Sequence, residues 1–507
     1  MQVLGRDKVC AVIAAHDPRS MRRQLQHALR RTRTIELRLD WLARDRHIDD
    51  FLRTLKKRKD PRVTLIATCR RRAAGGRYKG TVSQQLFHLA EALRAGCTWY
   101  DLEIETARRC PSELIAALLG EGRQLRSAHS FHGTPRHLVR VARELRQGGA
   151  EAIKLAAYCP SLAHARKLIR FADRQRNLVA IPMSEVALPV RVIGLRASNG
   201  FAYAPVENAT APGQTSLDEL KNLYRADLID SQTKVYGVIG DPIAHSLSPV
   251  MQNAGFQARR INAIYLPFLV HDLADFLDSI EALGIRGFSV TLPHKVRILK
   301  HLDGCDPLAE RIGAINTVVV RGRQKLYGCN TDYVGILRTL EKRMPLQGSR
   351  VLIVGAGGAA RAAAFALAQA GSAVCVHARQ PKRARALARA IGGEPIARSR
   401  LGGEFFDAII NATPVGMYPA VENSPLEERE LNCRLVFDTI YRPRSTRLLQ
   451  LAARRRIETV SGLEMFVAQG TAQWEIWTGE RAPVDAMRRA VLSRLVCEEK
   501  VRSASGR

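Results

Sequence analysis

The chain has 507 residues, 46% hydrophobic and 25% charged, with a formal net charge of +31. This length exceeds what one core fills and suggests roughly three domains, and no apolar run approaches the ~20 uncharged residues of a membrane span. The charge alone would admit a nucleic-acid-binding protein. Its basic residues, however, are mostly Arg spread along the chain, apart from short clusters such as Lys56-Lys57-Arg58-Lys59 and Arg454-Arg455-Arg456. No zinc-finger, RNP-like or homeodomain pattern accompanies them, so no specific nucleic-acid partner is expected. Scattered arginines read as solvated helix faces that attract anionic substrates and cofactors.

The 10 cysteines form no C-x-x-C pair, and many lie in apolar runs. They read as reduced core residues, so neither a disulfide framework nor a metal site is expected. The N-terminus lacks the apolar h-region of a signal peptide, which predicts a cytoplasmic protein with no membrane partner.

From residue 9 to about 208, short β-rich apolar runs recur at 9–15, 34–41, 63–70, 98–104, 125–131, 150–158, 178–185 and 200–206. Amphipathic segments such as 84–95 and 135–147 separate them. This layout predicts a (β/α)8 TIM barrel, with a doubly wound open sheet as the competitor. Lys154 lies inside the sixth run. A buried, unpaired ammonium costs several kcal/mol, so such a lysine tends to lose its proton and becomes a nucleophile suited to a ketone. The bland alternative is a lysine snorkelling out of a strand end. Neighbouring strands carry Glu36, Arg38, Arg70, Glu103 and His129. In a barrel these converge on the carboxyl-end mouth, supplying an amine, an imidazole, carboxylates and cations for an anionic substrate.

The first half resembles type I 3-dehydroquinate dehydratase through Glu36-Leu37-Arg38, Thr68-Cys69-Arg70, Asp101-Leu102-Glu103, Ser127 to Phe131, Ile153-Lys154, Arg191 and Ala211-Pro212-Gly213-Gln214. The resemblance implies a Schiff base between Lys154 and the dehydroquinate ketone, with His129 moving protons, helped by Glu103. It also implies that Glu36, Arg38, Arg70, Arg191, Thr210 and Gln214 hold the substrate. Val190 and Thr210 depart from the Ser that the family usually shows at both places. His132 lies past Phe131, where the loop begins, and is not the proton shuttle.

A polar stretch at 215–235 holds a closing helix at 217–223 and a boundary near residue 230. Farther on, Val351-Leu352-Ile353-Val354 runs into Gly355-Ala356-Gly357-Gly358-Ala359-Ala360 and then a helix. This strand, glycine turn and helix form a dinucleotide fingerprint, G-x-G-x-x-A, in which the backbone approaches a pyrophosphate at a helix N-terminus. The next strand ends at Arg379, followed by Lys382 and Arg383. An NAD site places an acid there; cations suit the 2′-phosphate of NADP.

The second half resembles shikimate dehydrogenase. The matching stretches run from Gly237 to Pro249, from Ser289 to Lys295 and from Gly313 to Thr317, then through Gly328 to Asp332, Asn411 to Met417, Asp438 to Pro443 and 462–469. The resemblance implies Lys295 as acid/base with Asp332 holding it. Ser246, Ser248, Thr291, Asn316, Tyr441 and Gln469 are implied to bind substrate. Gly355, Ala356, Gly357, Gly358, Ala359, Thr413, Arg379, Lys382 and Arg383 are implied to bind NADP. Ser289 and Gly470 stand where the family commonly has Asn and Ala.

The expected organisation is a barrel at 1–228, a shikimate-binding α/β domain at 235–335 and 462–500, and a Rossmann domain at 336–461. The expected function is conversion of 3-dehydroquinate to 3-dehydroshikimate and, with NADPH, to shikimate, in the pathway to aromatic amino acids. A quinate/shikimate dehydrogenase working oxidatively with NAD is the enzymatic alternative, and Arg379 weighs against it. Oligomeric state is left open.

Overall fold

Eight short strands open the chain in the computed structural model, which describes residues 4–5, 7–56, 60–197, 200–207, 213–322 and 325–505. They are β1 (Val9–Ile13), β2 (Thr34–Arg38), β3 (Thr64–Thr68), β4 (Trp99–Glu103), β5 (Arg123–Ser130), β6 (Ala152–Tyr158), β7 (Leu178–Met183) and β8 (Ala202–Pro205). All the described ladders among them are parallel, in the order β7-β6-β5-β4-β3-β2-β1-β8. This is the expected barrel with one difference: among the described residues no ladder joins β7 to β8. Val179, Ile181, Phe201 and Tyr203 line a cavity of about 40 Å³ at this seam.

Side chains alternate across each strand, so residues two apart share a face. Cys10, Val12, Ile66, Trp99, Leu125, Ala152, Val179 and Tyr203 form one apolar cluster inside the barrel. Two residues toward the carboxyl end, the same faces turn polar: Thr68 follows Ile66, Asp101 follows Trp99, Ser127 follows Leu125 and Lys154 follows Ala152. The opposite face carries Ile153, which packs with Ala142 and Leu145 of the helix Leu138–Arg146. The expected closing helix at 217–223 is helical throughout, residues 217–218 leading into the π-helical turn Glu219–Leu223. Ser216 starts it, its Oγ accepting from Glu219 N at 3.2 Å.

The chain divides into two compact units, residues 1–235 with 268–284 and residues 236–267 with 285–507. The second unit holds two sheets. The first comprises β9 (Lys234–Gly240), β10 (Ala263–Leu269), β11 (Ile285–Val290), β12 (Gly304–Cys305), β13 (Thr317–Val320) and β14 (Leu326–Cys329), in the order β10-β9-β11-β13-β14-β12. The second comprises β15 (Arg350–Val354), β16 (Ala373–His377), β17 (Glu394–Pro395), β18 (Phe406–Asn411), β19 (Cys433–Asp438) and β20 (Glu458–Val460). It is wholly parallel, in the order β17-β16-β15-β18-β19-β20. That order reverses beside β15, so the crevice at the end of β15 is where a doubly wound sheet takes its ligand. The helix Gly462–Thr478 returns to the first sheet, where Gln473 Nε2 donates to Asn316 O at 3.1 Å and Trp477 Nε1 to Val318 O at 3.1 Å.

Candidate active sites

Inside the barrel the structure brings together Glu36, Arg38, Arg70, His129 and Lys154, and adds Asp101. Lys154 is 2% exposed and forms ion pairs with Asp101 and, at 3.4 Å, with Glu36 Oε1. Glu36 also accepts from Thr68 Oγ1 at 2.8 Å. Asp101 accepts from Arg70 Nη2 at 2.8 Å and from Ser127 Oγ at 2.5 Å. Arg38 makes a two-pronged pair with Asp40, both contacts at 2.9 Å. The cations Arg38, Arg70 and Lys154 are thus matched by Glu36, Asp40 and Asp101. Pairing of this kind is what makes buried charge tolerable.

Burial opposes ionisation of Asp101, but Lys154, Arg70 and His129 outweigh it and hold the carboxyl well below the usual carboxylate range. His129 is pushed the other way: burial first, then Arg70 and Lys154, bring its pKa well below the ordinary imidazole value. It is therefore neutral at neutral pH and can accept a proton. Its ring stacks on Phe131 with centroids 6.1 Å apart, and Nδ1 is buried with no hydrogen-bond partner.

Glu103 shares the inward parity of Asp101, yet its carboxylate is taken elsewhere. It accepts from Gln85 Nε2 at 2.8 and 2.9 Å, from Thr106 Oγ1 at 3.1 Å and from Arg71 N at 3.2 Å. Burial raises its pKa despite Arg70. The carboxylates paired with Lys154 are those of Asp101 and Glu36. Alternation in β4 was the signal for Asp101, but it does not separate Asp101 from Glu103.

Arg191 lies on the helix Leu188–Ile193, with its guanidinium donating to Pro182 O and, at 2.9 Å, to Gly213 O. Burial lowers its pKa to about 10. Gln214 follows Gly213 and is half-buried, Thr210 lies outside the described residues, and His132 is exposed beyond the end of β5.

In the second unit Lys295 sits on the short helix His294–Arg297, five residues after β11 ends, and donates to Asp332 Oδ2 at 2.6 Å. Asn316 Nδ2 donates to the other oxygen, Asp332 Oδ1, at 2.8 Å and to Thr331 Oγ1 at 3.0 Å. Asn316 Oδ1 in turn accepts from Thr331 N at 2.7 Å. Gln469 Oε1 stands 3.5 Å from Asn316 Nδ2, which ties the helix Gly462–Thr478 to this cluster. Ser248 begins the helix Ser248–Ala258 and its N–H donates to Ser246 Oγ at 3.3 Å. Thr291 is half-buried, its N–H bonded to Ile239 O at 3.0 Å. Tyr441 stacks on Phe466 with centroids 4.5 Å apart.

Two departures from the family pattern find a setting here. Ser289 bonds Tyr265 Oη at 2.6 Å and Gln473 Oε1 at 2.8 Å. Gly470 leaves room for Met251: a Cβ there would lie 1.9 Å from the Met251 methyl carbon.

The glycine turn after β15 has the form a dinucleotide needs. Gly355 has φ +125°, and a Cβ on it would meet Ala412 O at 2.9 Å. Gly357 heads the helix Gly358–Gln369 with no side-chain cap, leaving its first N–H groups for an anion. A Cβ at Gly357 or Gly358 would meet nothing within 4 Å. Ala356 and Ala359 complete this turn, partly buried. Thr413 Oγ1 donates to Asn411 Oδ1 at 2.7 Å, and Asn411 Nδ2 to Asp438 Oδ1 at 3.0 Å. Arg379, Lys382 and Arg383 are exposed beyond β16 and form no ion pair among the described residues. The residues present fit a dinucleotide bearing an extra phosphate.

Comparison with known proteins agrees with this geometry. Family models match type I 3-dehydroquinase over residues 9–231, the shikimate dehydrogenase substrate binding domain over 238–318, shikimate/quinate 5-dehydrogenase over 338–444 and the shikimate 5′-dehydrogenase C-terminal domain over 462–492. A bifunctional 3-dehydroquinate dehydratase/shikimate dehydrogenase of Arabidopsis thaliana, named as chloroplastic, is 34% identical over 473 residues, covering 89% of this chain and 78% of the Arabidopsis protein. The chain belongs to the bifunctional 3-dehydroquinate dehydratase/shikimate dehydrogenase family. A shikimate dehydrogenase (NADP+) of Moorella thermoacetica is 43% identical over 293 residues, covering 55% of this chain and 97% of that protein. A crystal structure of a shikimate dehydrogenase in complex with NADP+ superposes with a TM-score of 0.50 at 36% identity, covering 52% of this chain and 97% of that one.

Among the described residues no helix is long and apolar enough to cross a membrane, and no group of three or more His, Cys, Asp or Glu could hold a metal ion.

Proposed function

We propose that this enzyme dehydrates 3-dehydroquinate to 3-dehydroshikimate in the barrel and reduces 3-dehydroshikimate to shikimate, with NADPH, in the second unit, on the route to aromatic amino acids. The observation that carries the barrel half is Lys154, buried among carboxylates beside a neutral His129. Lys154 attacks the substrate ketone and forms a Schiff base, which acidifies the adjacent C–H. His129 takes that proton and returns one to the leaving hydroxyl. Glu103 supports this site from behind, through Gln85 and Thr106. Arg38, Arg70, Arg191, Glu36, Thr210 and Gln214 hold the substrate's carboxylate and hydroxyls.

The second half rests on the Lys295–Asp332 pair. NADPH, when bound, supplies the hydride. Lys295 gives a proton to the oxygen that becomes the hydroxyl, and Asp332, fixed by Asn316, keeps the ammonium aimed. Ser246, Ser248, Thr291, Asn316, Tyr441 and Gln469 bind the substrate. Gly355, Ala356, Gly357, Gly358, Ala359 and Thr413 cradle the cofactor, and Arg379, Lys382 and Arg383 receive its 2′-phosphate. The domains are a barrel at 1–228, a substrate domain at 235–335 and 462–500, and a Rossmann domain at 336–461. Free, largely buried cysteines suit a reducing compartment such as the cytoplasm.

The test is borohydride reduction with dehydroquinate present, followed by mass mapping. A stable adduct on Lys154 is expected. Rapid dehydration with no adduct on Lys154 would overturn the Schiff-base reading.

A further inference from the structure

We propose that Asp101 is a catalytic residue of the barrel: a fixed counter-anion that stays paired with the Lys154 nitrogen both as an ammonium and as the iminium of the Schiff base. This rests on the reading of Lys154 as the Schiff-base lysine.

The balance of the reaction requires such a partner. A ketone and the Lys154 ammonium condense to an iminium and water. The carbonyl C–O bonds break, a C=N bond forms, and the oxygen leaves with two hydrogens from the nitrogen. The nitrogen gives up a proton to attack, and it carries a positive charge both before attack, as the ammonium, and after loss of water, as the iminium. In a buried site a charge that persists through two states needs an anion that persists with it.

Asp101 meets that requirement better than its neighbours do. Its side chain is fully buried and sits within β4, a strand rather than a loop. Arg70, two residues past β3, donates to the Oδ2 that faces Lys154, and Ser127 of β5 donates to Oδ1, so both oxygens are held. Glu36 of β2 is the second anion, but it stands 3.4 Å from Nζ and shares that oxygen with Thr68. The Tyr203 ring of β8 covers Nζ from 4.7 Å, an apolar wall with a weakly attractive face. His129, Arg38, Arg70 and the Cys10 thiol are further charged or titratable groups that act on this carboxylate or its partner. Lys154 and Arg70 keep Asp101 ionised and make it a poor base, so its part is electrostatic, and proton transfer stays with the neutral His129.

The test compares wild type, Asp101→Asn and Ser127→Ala in the full chain. The rate of borohydride trapping at Lys154 with saturating dehydroquinate is measured beside the dehydration rate; NADPH-dependent reduction of supplied dehydroshikimate reports that the second unit is folded, and a wild-type thermal melting profile by circular dichroism reports that the barrel is. Losing a buried charge-assisted contact predicts trapping and dehydration at least ~tenfold slower in Asp101→Asn, a smaller loss in Ser127→Ala, and unchanged reduction in both. Trapping and dehydration within about twofold of wild type in Asp101→Asn would overturn the proposal. If Asp101→Asn also loses reduction, Ser127→Ala decides: unchanged dehydration in a chain that still reduces overturns it, and slowed dehydration supports it. Absence of any wild-type adduct on Lys154 is a separate result, which defeats the Schiff-base reading itself.

Discussion

Replacing Asp332 by Asn exchanges one carboxylate oxygen for an NH2 group and should disable the reductase. Asp332 divides its oxygens: Oδ2 accepts from Lys295 at 2.6 Å and Oδ1 from Asn316 Nδ2 at 2.8 Å. An Asn side chain keeps one acceptor. If that carbonyl stays against Asn316, its NH2 faces the Lys295 ammonium, donor against donor. If it flips, the clash moves to Asn316. Either way one charge-assisted bond is lost, worth about 1.5–3 kcal/mol, and one donor goes unmet. Lys295 is 22% exposed on its side chain, so water recovers part of that cost. A net transition-state loss of about 2–3 kcal/mol follows, a fall of roughly 30- to 150-fold in kcat/KM for dehydroshikimate. The assay follows NADPH consumption at saturating cofactor, with dehydration of dehydroquinate as the internal control. Reduction within threefold of wild type, in a chain that still dehydrates, would refute the assigned clamp.

Two further outcomes follow from the second unit. Gly357→Val places a side chain in open space above the helix N-terminus, where a Cβ meets nothing within 4 Å. The melting temperature should hold within a few degrees while NADPH affinity falls at least ~tenfold, read by fluorescence titration; unaltered binding would remove the turn from the cofactor site. Asp438 supplies a pH signature. Burial raises its pKa to about 6, against bonds from Thr446, Ile440 and Asn411 that favour the ion. A carboxyl raised on folding contributes stability that is full below about pH 4 and is lost as pH rises through about 6. Asp438→Asn should therefore narrow the difference in unfolding free energy between pH 5 and pH 8 by up to about 1–1.5 kcal/mol, measured by urea denaturation; an unchanged difference would contradict it.

Much of the architecture was legible because parallel strands buried on both faces leave continuous apolar runs: seven of the eight barrel strands fall within the expected segments, and β5 begins two residues before its own. The reactive residues stood out for the same reason: Lys154 and His129 interrupt such runs. Glu103 shows where alternation stops being informative. It and Asp101 share one face of β4, and only the positions of Gln85 and Thr106, on other elements, decide which carboxylate reaches Lys154. The Asn316–Asp332 bond links residues 16 apart across a turn, and neither residue type announces it.

The central claim is that one chain carries two independent lysine chemistries, and a crossed pair of substitutions tests it most directly. Lys154→Ala and Lys295→Ala are each given dehydroquinate, and separately dehydroshikimate with NADPH. Lys154→Ala should lose dehydration yet reduce supplied dehydroshikimate at the wild-type rate, and Lys295→Ala should do the reverse. Retained dehydration in Lys154→Ala, or loss of both activities in either folded variant, would contradict the account.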